Sequence, residues 1–164
     1  MKTLVMLIFV SCQCTVVYAF QNEPTGFRGM EWGAPIEAQE GLILVDRAAD
    51  RAMYRRTSDE LRIGEAELQR IQYMFYKGRF AAVIIRTSGA TNKAALILAF
   101  KTQFGNSMQA NRYIDDHIWS GKIATLGVMC GVGNLCSALL TSAALETEQE
   151  AARRAAAERG KADF

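Results

Sequence analysis

The chain has 164 residues, 50% of them hydrophobic and 22% charged, with 19 Lys plus Arg against 17 Asp plus Glu. That is too apolar for a disordered chain, and a near-neutral balance argues against a nucleic-acid partner or an anionic membrane surface. The length suits one domain that can bury a core without staples.

Residues 1–19 read as a secretory signal peptide. Lys2 precedes the apolar run Leu4-Val5-Met6-Leu7-Ile8-Phe9-Val10, and Val17-Tyr18-Ala19 offers a cleavage site after Ala19. The apolar stretch is shorter than the ~20 residues a membrane span needs, and Gln13 interrupts it. A retained anchor and a lipoprotein modified at Cys12 are the weaker readings. The expected location is therefore periplasmic or secreted, touching the membrane only through this segment before cleavage. Cleavage removes Lys2, Cys12 and Cys14, leaving 18 basic against 17 acidic residues and the pair Cys130 and Cys136.

A short polar leader, 20–25, is followed by Phe27, Met30 and Trp32 between glycines. Trp32 reads as a core anchor at the domain's edge. Pro35 suits the first position of a short helix over 36–40. Residues 42–45 form a strand candidate and 46–51 a charged loop. Residues 53–57 and 61–63 flank Ser58, Asp59 and Glu60 as a small hairpin, and 63–68 carries some helical bias.

The clearest signal lies in 71–86, where two runs rich in aromatic and β-branched residues flank Lys77 and Gly78. A two-residue connection containing Gly predicts a β-hairpin. It places Tyr76 opposite Arg79, Phe75 opposite Phe80, Met74 opposite Ala81, Tyr73 opposite Ala82, and Ile71 opposite Ile84. Alternation then gives a core face of Ile71, Tyr73, Phe75, Phe80, Ala82 and Ile84. The second face carries Gln72, Met74, Tyr76, Arg79, Ala81 and Val83.

Leu96, Ala99, Phe100 and Phe104 recur at helical spacing in 92–104, with Ser88 or Thr91 as caps and Gly105 at the stop. This helix is expected to cover the hairpin's aromatic face. Residues 123–130 and 135–141 read as strands joined through a turn centred on Gly133. That turn sets Cys130 opposite Cys136, as a disulfide or as two buried thiols. Residues 146–159 are rich in Ala, Glu and Arg, with Glu150 and Arg154 spaced i,i+4. This segment has little to bury and reads as a solvated helix or frayed tail, with a docking helix as the alternative.

The predicted fold is α+β, a mainly antiparallel sheet of about five to seven strands on one amphipathic helix, with a polar C-terminal helix. The organisation is a signal peptide (1–19), an α+β domain (20–145) and a charged helical tail (146–164).

Several stretches carry a family resemblance: Phe27-Arg28-Gly29-Met30-Glu31-Trp32-Gly33, Tyr54-Arg55-Arg56, and Leu61-Arg62-Ile63-Gly64-Glu65-Ala66-Glu67-Leu68. The others are Ile71-Gln72-Tyr73-Met74-Phe75-Tyr76-Lys77-Gly78-Arg79-Phe80, Ile118-Trp119-Ser120-Gly121, and the charged end at Asp163-Phe164. With these the chain resembles a family of small exported bacterial proteins of unassigned function. The resemblance implies a Gram-negative envelope location and carries over no site residues. The apolar, Gly-rich 126–140 stretch departs from the polar alternation of that group.

No stretch matches a catalytic or cofactor motif, and the reading leans away from an enzyme. His117, beside Asp115 and Asp116, is the only histidine and lacks the further ligands of a metal site. Cys130 and Cys136 sit in apolar strands, which disfavours a thiolate. Glu60, Glu65 and Glu67 read as a solvated face. Tyr and Arg are enriched at binding hot spots, so Tyr54, Arg55, Arg56, Tyr76 and Arg79 are the candidate binding residues, on the sheet's second face. The expected function is a non-catalytic binding module for an envelope protein or ligand. A carboxylate-dependent envelope hydrolase and a membrane-tethered structural protein are the alternatives. The ordinary wet face of a one-sided sheet is the bland reading of the same residues.

Overall fold

In chain order the strands are β1 (Gly26–Phe27), β2 (Met30–Glu31), β3 (Leu42–Ala48), β4 (Arg51–Arg56), β5 (Arg62–Ile63), β6 (Ala66–Glu67), β7 (Arg70–Tyr76) and β8 (Arg79–Thr87). Helix α1 (Ala90–Phe104) follows, then β9 (His117–Ser120), β10 (Ala124–Cys130), β11 (Cys136–Ser142) and α2 (Ala143–Gly160). The computed structural model describes residues 20–109, 111 and 113–161. Residues 1–19, read from sequence as a signal peptide, and the terminal Asp163 and Phe164 lie outside them.

The chain is an α+β fold built on one seven-stranded antiparallel sheet, in the order β3-β4-β7-β8-β11-β10-β9. β7 and β8 lie at its centre. Their turn is the expected one: Lys77 has φ 49° and Gly78 φ 75°, the pair of positive values a tight hairpin turn needs. The Lys77 amide donates to the Asp50 carbonyl at 2.7 Å, holding this turn against the β3–β4 turn.

The expected register holds only for the first two pairs. Tyr76 faces Arg79 and Phe75 faces Phe80, but Met74 faces Ala82, so Ala81 is the extra residue of a β-bulge. Tyr73 therefore faces Val83 and Ile71 faces Ile85. Val83 and Ile85 are fully buried in the main core, whereas Ala82 and Ile84, assigned to that face from alternation, stand on the other.

Three other segments differ from expectation. The charged stretch at 46–51 continues β3 and turns at Ala49 and Asp50 into β4, with Ala49 at φ 48°. The expected hairpin around Asp59 is absent among the described residues; β5 pairs instead with β6. The helical bias of 63–68 yields to that small hairpin, in which Gly64 has φ 55°.

Two layers cover the core face. The N-terminal strap, residues 20–35, covers the hairpin's aromatic end: Trp32 stacks on Phe80 at 4.9 Å and Phe27 meets Tyr73 at 6.1 Å. Trp32 also donates to the Pro24 carbonyl through Nε1, so it is an edge anchor. Helix α1 buries Leu96, Phe100 and Phe104, and its rings meet Phe20 and Trp119. The helix thus lies toward β9 and β10, leaving the hairpin's aromatic tip to the strap. The strap docks where β11 no longer flanks β8: the Phe80 amide donates to the Ala34 carbonyl at 2.9 Å, and the Phe80 carbonyl accepts from the Gly33 amide at 2.8 Å.

Helix α2 leaves β11 directly, its Ser142 hydroxyl accepting from the Leu145 amide, and folds back onto the second face. Leu145 packs on Tyr76 and Ala81, and Glu148 accepts from Arg79 at 2.6 Å with Lys77 at 3.7 Å. The remaining turns are mostly exposed, as their composition implies.

The bulge yields a direct test. Ile85→Ala should cost about 2–5 kcal/mol and Ile84→Ala less than about half of that, measured as urea midpoints at constant m-value. A larger cost for Ile84→Ala than for Ile85→Ala would restore the unbulged register.

Candidate functional site

The five candidate binding residues do not form one surface. Tyr54 lies opposite Tyr73 on the core face, buried, its ring edge-on to Phe75 at 5.2 Å. Arg56 shares that face and lies over the Tyr73 ring at 5.2 Å. Arg55 is exposed on the opposite face. Tyr76 is buried beneath α2, and Arg79 is tied to Glu148. The parity of β4 and the back-folded helix together split the set.

A buried charge ties the strap down instead. The Asp59 carboxylate, 6% exposed, accepts from Arg28 Nη1 at 3.0 Å and from the Tyr73 hydroxyl at 2.9 Å. Arg28 Nη2 donates to the Arg62 carbonyl and its guanidinium lies over Phe27; Arg56 Nη1 donates to the Arg28 carbonyl. Burial, then the Asp59 carboxylate, hold the Tyr73 phenol above the ordinary tyrosine range, so it stays a donor. Asp59 sits between polar neighbours in sequence and carries no pattern that marks it; its partners come from stretches 31 residues before and 14 after it.

Between strap, α1 and sheet lies a cavity of about 500 Å³. Ile85, Leu126 and Leu140 contribute from the sheet, Phe100 and Phe104 from α1, and Phe27 and Met30 from the strap. Asn22, Thr25, Arg28, Glu31 and Gln103 are its polar lining. The strap is pinned at both ends. The Gln21 amide donates to the Phe104 carbonyl at 3.0 Å, and the Glu23 carboxylate accepts the Ala124 amide at 2.9 Å and the Ile123 amide. At the other end are Trp32 and the Arg28–Asp59 pair.

His117 is buried on β9, its ring 6.0 Å from Trp119 and its Nδ1 2.7 Å from the Ser107 hydroxyl. Burial, then Lys101, push its pKa below the usual histidine value. Asp115 pairs with Lys93 at 2.7 Å, which lowers its own pKa. None of the four cavities described is lined by Asp115, Asp116 or His117. Among the described residues no three His, Cys, Asp or Glu gather as metal ligands. Glu65 pairs with Arg62 on the surface. Cys130 and Cys136 face each other across β10 and β11 and form a disulfide, with Cα atoms 4.1 Å apart. No helix among the described residues is long and apolar enough to cross a membrane.

Comparison with family models, curated proteins and solved structures gives no match.

Two tests follow from these geometries. Asp59→Asn should lower stability by about 2–3 kcal/mol, since Arg28 loses its ionic partner; a calorimetric melt checks this. His117 is held neutral by burial, so the folded chain resists a proton that the unfolded chain takes up. Stability should therefore fall as pH drops below about 6.5. The difference between wild type and His117→Gln, measured by urea melts from pH 7 to pH 5, should carry that slope.

Proposed function

We propose that this protein is an exported, non-catalytic binding module whose ligand seat is the cavity beneath the N-terminal strap. The cavity of about 500 Å³ carries the reading. It falls within the ~300–1,000 Å³ range of small-molecule sites, and it has their usual make-up of apolar walls and a few polar groups. Its floor is made of sheet residues in a bulge-defined register, so it is preformed. Asn22 Nδ2 donates to the Gln103 carbonyl at 2.8 Å, which joins strap to helix. The ligand class is a compact apolar molecule with one polar end, its apolar body against Leu126, Leu140 and Phe100. The candidate titratable groups support binding over catalysis because they are engaged elsewhere: Asp115 with Lys93, His117 with Ser107, and Asp59 with Arg28 and Tyr73. The signal-like 1–19 segment and the Cys130–Cys136 bridge support export, since disulfides persist in oxidising compartments.

The neutral fluorophore N-phenyl-1-naphthylamine should bind at one saturable site. Leu140→Trp, which fills the cavity, should abolish that binding while circular dichroism stays native. Unchanged binding in the filled variant sinks the assignment. Sequencing the exported protein should give Phe20 as its first residue; an intact 1–19 segment would favour a tether.

A further inference from the structure

We propose that the groove between α2 and the second sheet face binds a small sugar acid, a ligand with several hydroxyls and one carboxylate. The groove measures about 770 Å³ and exists because of the helix's sequence. Successive inward positions of α2 are Leu145, Gln149, Ala152 and Ala156. The one large apolar residue seals the near end, and the alanines beyond it are too short to fill the gap.

What faces that gap is not core material. Gln72 on β7 and Gln149 on α2 are 9% and 8% exposed, and both line the groove. Among the described residues neither carboxamide makes a hydrogen bond within the chain, and neither amide end is sealed from solvent, so both are open to the groove. Each offers a donor and an acceptor, which suits hydroxyl groups.

Free guanidinium groups recognise the acid. Arg51, Arg86 and Arg153 line the groove, and none of them has an ion pair or side-chain hydrogen bond among the described residues. Arg86 also stands directly opposite Arg70 across β7 and β8, a like-charge pairing that is unfavourable without an anion nearby. Asp46 and Asp50 lie at the β3–β4 end. Glu146 and Glu150 line its continuation along α2, Glu150 paired with Arg154 and Glu146 accepting from the Thr141 hydroxyl. It is therefore the three unpaired guanidinium groups, not a net positive charge, that mark the acid's place. Planar guanidinium forks match a carboxylate in two-point contact. Met74 and Ile84 complete the floor, giving C–H groups of a sugar ring an apolar surface. This site is separate from the strap cavity and does not rest on the function proposed for it.

Isothermal titration of the purified protein with D-glucuronate tests the proposal, with D-glucose as the neutral control. Glucuronate should bind and glucose should bind at least about tenfold more weakly, a gap of the size one charge-assisted contact supplies. Arg153→Met, on the exposed side of the fold, should weaken glucuronate by about tenfold. Gln72→Leu is the decisive variant: it should weaken binding comparably while its melting temperature holds or rises, because it replaces an amide that has no partner in the chain by an apolar group of similar size. Equal affinity for the two sugars, no binding of glucuronate, or unaltered binding in both variants overturns the proposal. A Gln72→Leu protein that melts markedly lower also overturns it, since the amide would then serve the fold.

Discussion

One extra residue, Ala81, decides which side of β8 faces which layer. Before it, Phe80 points into the core beneath Trp32; after it, Val83 and Ile85 return to that same core. Ala81 itself turns to the second face, against Tyr76 and Leu145. Without the bulge, strict alternation would send Val83 and Ile85 under α2 and leave Ala82 and Ile84 to fill the core. The floor of the strap cavity includes Ile85, so its shape depends on this one insertion. The bulge is tolerated because Ala81 and Ala82 are small enough to be buried on a crowded strand end.

The second constraint is electrostatic. A strap of 16 residues with two short strands cannot hold itself in place by burial alone. Asp59 supplies the missing fixture by joining Arg28 to Tyr73 inside the protein. A buried carboxylate is costly unless paired and hydrogen-bonded, and here Oδ1 takes both the ion pair and the hydrogen bond while Oδ2 is left without a partner. The same contacts fix the direction of the Tyr73 ring, on which Arg56 rests.

Local features were legible in the sequence and long-range ones were not. The Lys77–Gly78 turn was readable because its backbone demands positive φ and glycine supplies it. The helix at 90–104 and the opposed cysteines follow from periodicity and spacing over a few residues. The Ala49–Asp50 turn was hidden because an alanine at φ 48° has no turn signature. The bulge was hidden because two consecutive alanines fit either face. The candidate binding set failed for the same reason at a larger scale. Tyr54 and Arg56 were placed without the β3–β4–β7 register, and Tyr76 without knowing that an alanine-rich helix would fold back over it. Neither Asp59 nor Gln72 carries a local pattern; each matters only through residues that the fold brings close.

The strap's fastenings span long stretches of chain. Glu23 accepts from Ala124, 101 residues away, and Asn22 reaches Gln103, 81 residues away. Closing loops of that length carries an entropic penalty that nearer contacts do not, and topologies rich in such contacts fold slowly. β9 and β10 must already be in place before Glu23 has anything to grip. The N-terminal strap is therefore expected to settle late, and with it the cavity it roofs.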